Sequence, residues 1–134
     1  MGSISLSEGE LRVRKLFSAF ERGTEDSVEA VLELFAEDAI FYVWGPTLPP
    51  AVGHDAMRTA FKGLSTVLQD FKADLGTVAV SGNVVFVERV ERFTYKGKKA
   101  IELPLVGVGE IRPSDGKFTL WKDYFDSKVF ADVQ

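Results

Sequence analysis

The spacing of apolar residues divides the chain into a helical first part and a strand-rich second part. Residues 7–10 have capping-box spacing, and apolar residues then recur at roughly helical intervals until Gly23 ends the run. Similar spacing predicts a second helix from about residue 24 to about residue 38 and a third over residues 54–68. Residues 39–44 between them predict a short buried strand, which a proline-rich loop follows.

The rest of the chain has the alternating pattern of β-strands. The predicted strands are residues 71–80, 83–95, 99–112 and 117–126. Short turns separate them, each with a residue that tolerates positive φ: Gly82, Gly97 and Gly116. Helices followed by a meander predict an α+β fold, in which a curved, mixed or antiparallel sheet wraps over three N-terminal helices. With 134 residues, we expect one domain over 1–134.

Charged residues interrupt two of the most apolar strands. Because alternate strand residues share a face, Arg89 and Glu91 point the same way as Phe93. The odd-numbered residues of the last two strands add Asp123, and the apolar residues Leu103, Leu105 and Phe125. If these sets share the concave face, two acids and an arginine meet inside an apolar pocket. By spacing alone, a structural cross-strand ion pair of small energetic effect is the commoner explanation for such charges.

The overall charge, the absence of cysteine and the single histidine narrow the range of possible functions. The net charge is -4 and the longest basic runs are pairs, which argues against nucleic-acid binding. With no Cys and one His, His54, the chain lacks thiols and has little from which to build a zinc site or a His-based triad, and His54 itself is expected to be a surface residue. Any catalysis must use carboxylates, Tyr, Arg or Lys. No apolar run reaches membrane-spanning length and no signal-peptide pattern is present, so we expect a cytoplasmic protein without membrane contact.

The even-numbered residues of the last strands are too apolar for a surface exposed only to water. They are Val106, Val108, Phe118, Leu120 and Tyr124. Apolar surface of this extent is typical of a subunit interface. We therefore expect a homodimer that associates through the outer face of the sheet.

With these motifs the chain resembles the limonene epoxide hydrolase family of the nuclear transport factor 2-like, or SnoaL-like, superfamily. The motifs that carry the resemblance are Glu88-Arg89-Val90-Glu91, Leu105-Val106-Gly107-Val108, Gly116-Lys117, Trp121-Lys122-Asp123-Tyr124-Phe125-Asp126 and Leu48-Pro49-Pro50-Ala51. The resemblance extends from the first helix to Phe125 and implies a cone-shaped α+β fold. It also implies an enzyme that needs no cofactor and no metal.

The resemblance assigns a role to each candidate residue. Arg89 matches an arginine that bridges two acids, Asp123 matches the general base and Glu91 the general acid. Tyr42 matches a tyrosine that holds the attacking water. Glu91 stands where the family has Asp, and Trp44 where it has Asn.

The implied reaction is the addition of water to an apolar epoxide in a single acid/base step. The expected substrate-binding residues are Trp44, Leu64, Leu68, Phe93, Leu103, Leu105 and Phe125. Two alternatives remain open. One is a ketosteroid-isomerase-like or polyketide-cyclase-like enzyme, and the other is a non-catalytic dimer that binds an apolar ligand.

Overall fold

In the part of the chain that the structure describes, three α-helices pack against one curved, unclosed sheet of six strands. The computed structural model describes residues 2–22 and 25–131, without the side chains at positions 25 and 26. The helices are α1 (Leu6–Glu21), α2 (Glu25–Glu33) and α3 (Gly53–Val67). The strands are β1 (Phe35–Tyr42), β2 (Ala51–Val52), β3 (Leu68–Ser81), β4 (Val84–Tyr95), β5 (Lys99–Ile111) and β6 (Phe118–Phe125). A short 3-10 helix, Ser127–Phe130, follows β6.

The four long strands form the predicted antiparallel meander. The strand order is β2-β1-β6-β5-β4-β3, and β1 joins the sheet by pairing in parallel with β6. Glycines at positions 82, 97 and 116 have φ of 61°, 67° and 72°, as the predicted turns require. The predicted α+β class and the mixed sheet over three helices are confirmed.

The start of α1 differs from the prediction by two residues. Ser5 is the N-cap, and its Oγ accepts a hydrogen bond of 3.1 Å from the backbone N–H of Glu8. The serine and glutamate with capping-box spacing at the start of α1 are therefore Ser5 and Glu8, two residues before the predicted pair at positions 7 and 10. The predicted end of this helix at Gly23 and the start of the next near Thr24 lie outside the described residues.

The predicted boundary between α2 and β1 was wrong. The helix ends at Glu33, five residues before the predicted position 38, and the strand begins at Phe35, four residues before the predicted position 39. Pairing with β6 explains the early switch, since the N–H of Phe118 donates to the carbonyl of Leu34 at 2.9 Å. The proline-rich loop also contains the two-residue strand β2, which the sequence pattern did not predict.

The predicted alternation of buried and exposed residues holds along most of β4 and β5. The odd-numbered residues of 85–93 and 101–111 are buried, while Val106 and Tyr124 on the outer face are exposed. Phe118 was predicted on the outer face but is 1% exposed and lies in the core. The register of β5 and β6 shifts between Glu110 and Ile111, so the parity of β6 changes at its first residue. Among the described residues, no helix is long and apolar enough to span a membrane.

Candidate active site

Arg89 lies between the carboxylates of Glu91 and Asp123. Its Nε and Nη2 donate to Oε2 of Glu91 at 2.9 and 2.7 Å, and Nη2 lies 2.9 Å from Oδ1 of Asp123. The three residues are 2%, 8% and 9% exposed. One arginine thus bridges two buried acids, as the alternation of strand residues predicted. This arrangement differs from a surface ion pair, because all three side chains are buried and shielded from bulk water.

Strand pairing brings these side chains together. Arg89 and Glu91 are two residues apart on β4, and Asp123 reaches them across β5, where it pairs with Gly107. The aromatic ring of Phe17, on α1, lies 4.4 Å from Cζ of Arg89. The guanidinium is therefore packed on an aromatic face as well as paired with the two acids.

Trp121 is a site residue that sequence reasoning did not assign. Its Nε1 donates to Oδ1 of Asp123 at 3.0 Å, and its side chain is 1% exposed. A tryptophan two residues before an acid, on the same strand face, was the signal that could have identified it. The indole fixes the orientation of the Asp123 carboxylate and stabilises its ionised form.

Burial raises the pKa of both acids. For Asp123, desolvation raises the pKa, against the opposing effects of Arg89 and Trp121. For Glu91, desolvation again acts first, Arg89 opposes it, and the charge of Asp123 raises the pKa further. With both acids ionised, one arginine would face two negative charges in an apolar setting. The arrangement therefore favours one proton retained on the pair.

The charged cluster forms part of the wall of an apolar cavity of about 560 Å³. This volume is typical of small-molecule sites. All seven residues expected to contact substrate line it: Trp44, Leu64, Leu68, Phe93, Leu103, Leu105 and Phe125. Additional aromatic walls come from Phe17 and Phe20 of α1 and from Phe61 of α3.

The expected position of Tyr42 was wrong. Phe41 and Val43, on either side of it, line the cavity, whereas Tyr42 does not and pairs with Lys122 in the sheet. Phe41 pairs with Trp121, whose side chain faces inward, so Tyr42 on the next position faces the outer side. Tyr42 therefore does not join Asp123 around an attacking water.

The C-terminal 3-10 helix closes one side of the cavity, a feature that the sequence did not predict. Phe130 stacks on Phe93 with ring centroids 6.1 Å apart, and it contacts Trp44 edge to face at the same distance. Asp126 caps this helix by accepting a hydrogen bond from the N–H of Lys128. A four-residue helix has too few positions to show a period, so only the apolar residues Val129 and Phe130 could have indicated it.

The only histidine lies away from the charged cluster. His54 is near the start of α3, and its Nε2 is 3.0 Å from the carbonyl oxygen of Phe35. The contact anchors the helix to β1. Within residues 2–22 and 27–131, whose side chains the structure describes, no group of three His, Asp or Glu is arranged to hold a metal ion.

Comparison with known proteins gives one family match and several structural ones. A family model described as a SnoaL-like domain matches residues 13–121. The epoxide hydrolase/cyclase-like enzyme SalBIII, with a role in pyran ring formation in the polyether salinomycin, is 19% identical over 90% of this chain and 92% of its own, with a TM-score of 0.78. An LEH-like epoxide hydrolase of M. tuberculosis is 22% identical over 90% and 84%, with a TM-score of 0.72. A Catenulispora acidiphila protein with a ketosteroid isomerase-like fold is 20% identical over 90% and 89%, with a TM-score of 0.76.

The structural matches have low identity and therefore show the fold alone. They agree with the cone-shaped, nuclear transport factor 2-like arrangement of helices and sheet described above. The family model, in contrast, spans most of the chain, from α1 to Trp121, which donates a hydrogen bond to Asp123. The chain belongs to the SnoaL-like domain family.

Proposed function

We propose that this protein is a cofactor-independent enzyme that opens an apolar epoxide with water in a single acid/base step. One observation carries the proposal: Arg89 joins two buried acids in the wall of an apolar cavity. Such a pair can hold one acid ionised and the other protonated at the same pH, and epoxide opening needs a base and an acid in one transition state.

Asp123 is the base and Glu91 the acid in this proposal. The contacts that Arg89 and Trp121 make to Asp123 both end on Oδ1, so Oδ2 is the oxygen that takes a proton from water. Both hydrogen bonds from Arg89 to Glu91 end on Oε2, so Oε1 is the oxygen that carries the transferable proton. Arg89 keeps the remaining anion charge-balanced throughout.

The proposed step conserves atoms and charge. The water oxygen bonds to one epoxide carbon while its proton passes to Asp123. The bond from that carbon to the epoxide oxygen breaks, and this oxygen takes the proton of Glu91. The product is a diol, and a proton returning from Asp123 to Glu91 restores the starting state.

Two of the structural relatives support the proposal, because both share this fold and are described as epoxide-opening enzymes. One is described as an epoxide hydrolase/cyclase-like enzyme and another as an LEH-like epoxide hydrolase. The cavity walls, largely aromatic and aliphatic, fit an apolar substrate body.

Turnover of a panel of terpene and aryl epoxides tests the proposal. Asp123→Asn keeps the shape of the base but removes its proton affinity, and Glu91→Gln does the same for the acid. Each is expected to lower kcat about a hundredfold to ten-thousandfold. Glu91→Asp keeps a carboxylic acid and should retain part of the activity.

A matched control is Glu102→Gln. Glu102 lies on the outer face of β5, is exposed, and forms an ion pair with Arg92, so its loss should leave turnover unchanged. Undiminished turnover in Asp123→Asn would remove the proposal. Absence of turnover in the wild type across the panel would favour a non-catalytic, ligand-binding role.

The outward position of Tyr42 favours a second candidate, intramolecular epoxide opening. Without Tyr42 at Asp123, a hydroxyl group tethered to the substrate is easier to place than a free water, because its position is set covalently. Asp123 would take the hydroxyl proton and Glu91 would protonate the epoxide oxygen, which gives a cyclic ether. An epoxy alcohol distinguishes the two candidates: the hydrolase yields a triol and the cyclase an ether alcohol of unchanged mass.

We also propose that the protein is a homodimer through the outer face of the sheet. Val106 and Tyr124 are 37% and 45% exposed there, next to the partly buried Val108 and Leu120. Exposed apolar residues grouped on one sheet face are typical of a subunit interface.

A further inference from the structure

Gly107 occupies the point at which the charged cluster and Trp121 meet. On β5 it pairs with Val87 on one side and with Asp123 on the other. A Cβ atom at this position would lie 2.7 Å from Nη1 of Arg89, 2.9 Å from Oδ1 of Asp123 and 2.4 Å from Cζ2 of Trp121. All three distances are shorter than van der Waals contact allows.

Backbone conformation does not explain the glycine. The described glycines with positive φ are at other positions, so an L-residue could adopt the conformation of Gly107. Glycine also weakens a strand interior relative to other residues. What position 107 requires is the absence of a side chain.

The guanidinium of Arg89 depends on this space. Its Nε and Nη2 are bonded to the acids, whereas Nη1 is buried and has no hydrogen-bond partner among the described residues. Nη1 is the arginine atom that a side chain at position 107 would meet first. A methyl group there would push the guanidinium and the Asp123 carboxylate apart, with no hydrogen bond to hold Nη1 in place.

We propose that Gly107 is a positioning residue, which sets the 2.9 Å contact between Arg89 and Asp123 by leaving the space beside both of them empty. Its importance for catalysis rests on the proposed function, but its effect on the charged cluster does not. Weakening the contact removes stabilisation from the Asp123 anion, so this acid should hold its proton to higher pH.

Gly109 provides the matched control. It is also a buried β5 glycine on the same face, and its Cβ would lie 2.7 Å from Cε3 of Trp121 and 3.0 Å from Cε1 of Phe118. Its three nearest atoms belong to these two rings and none to the charged cluster. Gly107→Ala and Gly109→Ala therefore both crowd Trp121, but only the first crowds Arg89 and Asp123.

The test is a pH titration of the side-chain carboxyl carbons by ¹³C NMR, with the two signals assigned from Asp123→Asn and Glu91→Gln. Gly107→Ala should raise the apparent titration midpoint of Asp123 by roughly one pH unit or more, the size expected for the loss of a close opposite charge. Gly109→Ala should shift the midpoint less, because it reaches Asp123 only through Trp121. An unchanged midpoint in Gly107→Ala, or an equal shift in both variants, overturns the inference.

A second pair of variants covers the case in which Gly107→Ala does not fold. Trp121→Phe removes the indole ring, which is the group closest to the new methyl. The comparison is then between the Trp121→Phe variant and the double variant that also carries Gly107→Ala. The same rise in the Asp123 midpoint is expected there, and no rise overturns the inference. The titration uses no substrate, so a shifted midpoint without epoxide turnover in the wild type would remove only the proposed function. Turnover with an unshifted midpoint would remove only the role of Gly107.

Discussion

Neutralising Asp123 is expected to make the protein more stable at neutral and alkaline pH. When both are ionised, Asp123 and Glu91 place two negative charges against the one positive charge of Arg89, and all three residues are buried. Desolvation raises the pKa of both acids above the ordinary values. A raised folded-state pKa contributes stability that is complete below the unfolded-state pKa and is lost as pH rises through the folded-state pKa.

The slope of this loss follows from proton linkage. Unfolded Asp and Glu titrate near pH 4, so above that pH the folded cluster holds a proton that the unfolded chain has released. Each retained proton lowers the free energy of unfolding by about 1.4 kcal/mol per pH unit until the folded pair ionises. In Asp123→Asn, Glu91 faces Arg89 without a second negative charge, so this slope should be reduced.

Urea unfolding followed by far-UV circular dichroism measures the effect. The free energy of unfolding of Asp123→Asn, relative to the wild type, should rise with pH above about pH 5, with an initial slope near 1.4 kcal/mol per unit. Asp115 acts in the opposite direction, because its hydrogen bond from Arg112 lowers its pKa to about 2, but its contribution changes only at more acidic pH. A relative stability that is constant over this range, or that falls with pH, would contradict the inference that the folded wild type retains a proton on Asp123 and Glu91.

Three further predictions concern the fold and its assembly. Phe118→Ala should lower the free energy of unfolding by about 3–5 kcal/mol in urea denaturation, because the ring is buried against Phe35 and Trp121. Ser5→Ala should cost about 1 kcal/mol in the same assay, since it removes the side-chain cap of α1. Light scattering at micromolar concentration should give the mass of a dimer for the wild type and of a monomer for Val106→Lys; a monomeric wild type would contradict the proposed interface.

The sequence predicted the charged cluster because two strong rules applied together. Strand side chains alternate with a period of two, so Arg89 and Glu91 share a face, and Asp123 joins them if the odd-numbered residues of the last strand face the same side. Charges on a face that also carries Phe93, Leu103 and similar residues must pair when they are buried. Both rules are local to the meander, where the predicted strands and turns were correct apart from the ends.

The rules failed where pairing between distant parts of the chain decides the structure. Tyr42 was expected at the site, but its direction depends on the parallel register of β1 with β6, which no local pattern specifies. Phe118 was placed on the wrong face because a register shift next to Ile111 changes the parity of β6. Phe130 was missed because the helix that carries it is too short to have a period.

Oxygen-18 labelling in a single turnover tests whether Asp123 acts as a base on water or as a nucleophile. Excess enzyme is mixed with an apolar epoxide in ¹⁸O-water, and both the diol and the protein are analysed by mass spectrometry. If Asp123 is a base, the diol contains one ¹⁸O atom, the Asp123 and Glu91 carboxyl groups contain none, and Asp123→Asn lowers turnover about a hundredfold or more. An unlabelled first-turnover diol, together with ¹⁸O in a site carboxyl group, would show a covalent ester intermediate and contradict a role as base.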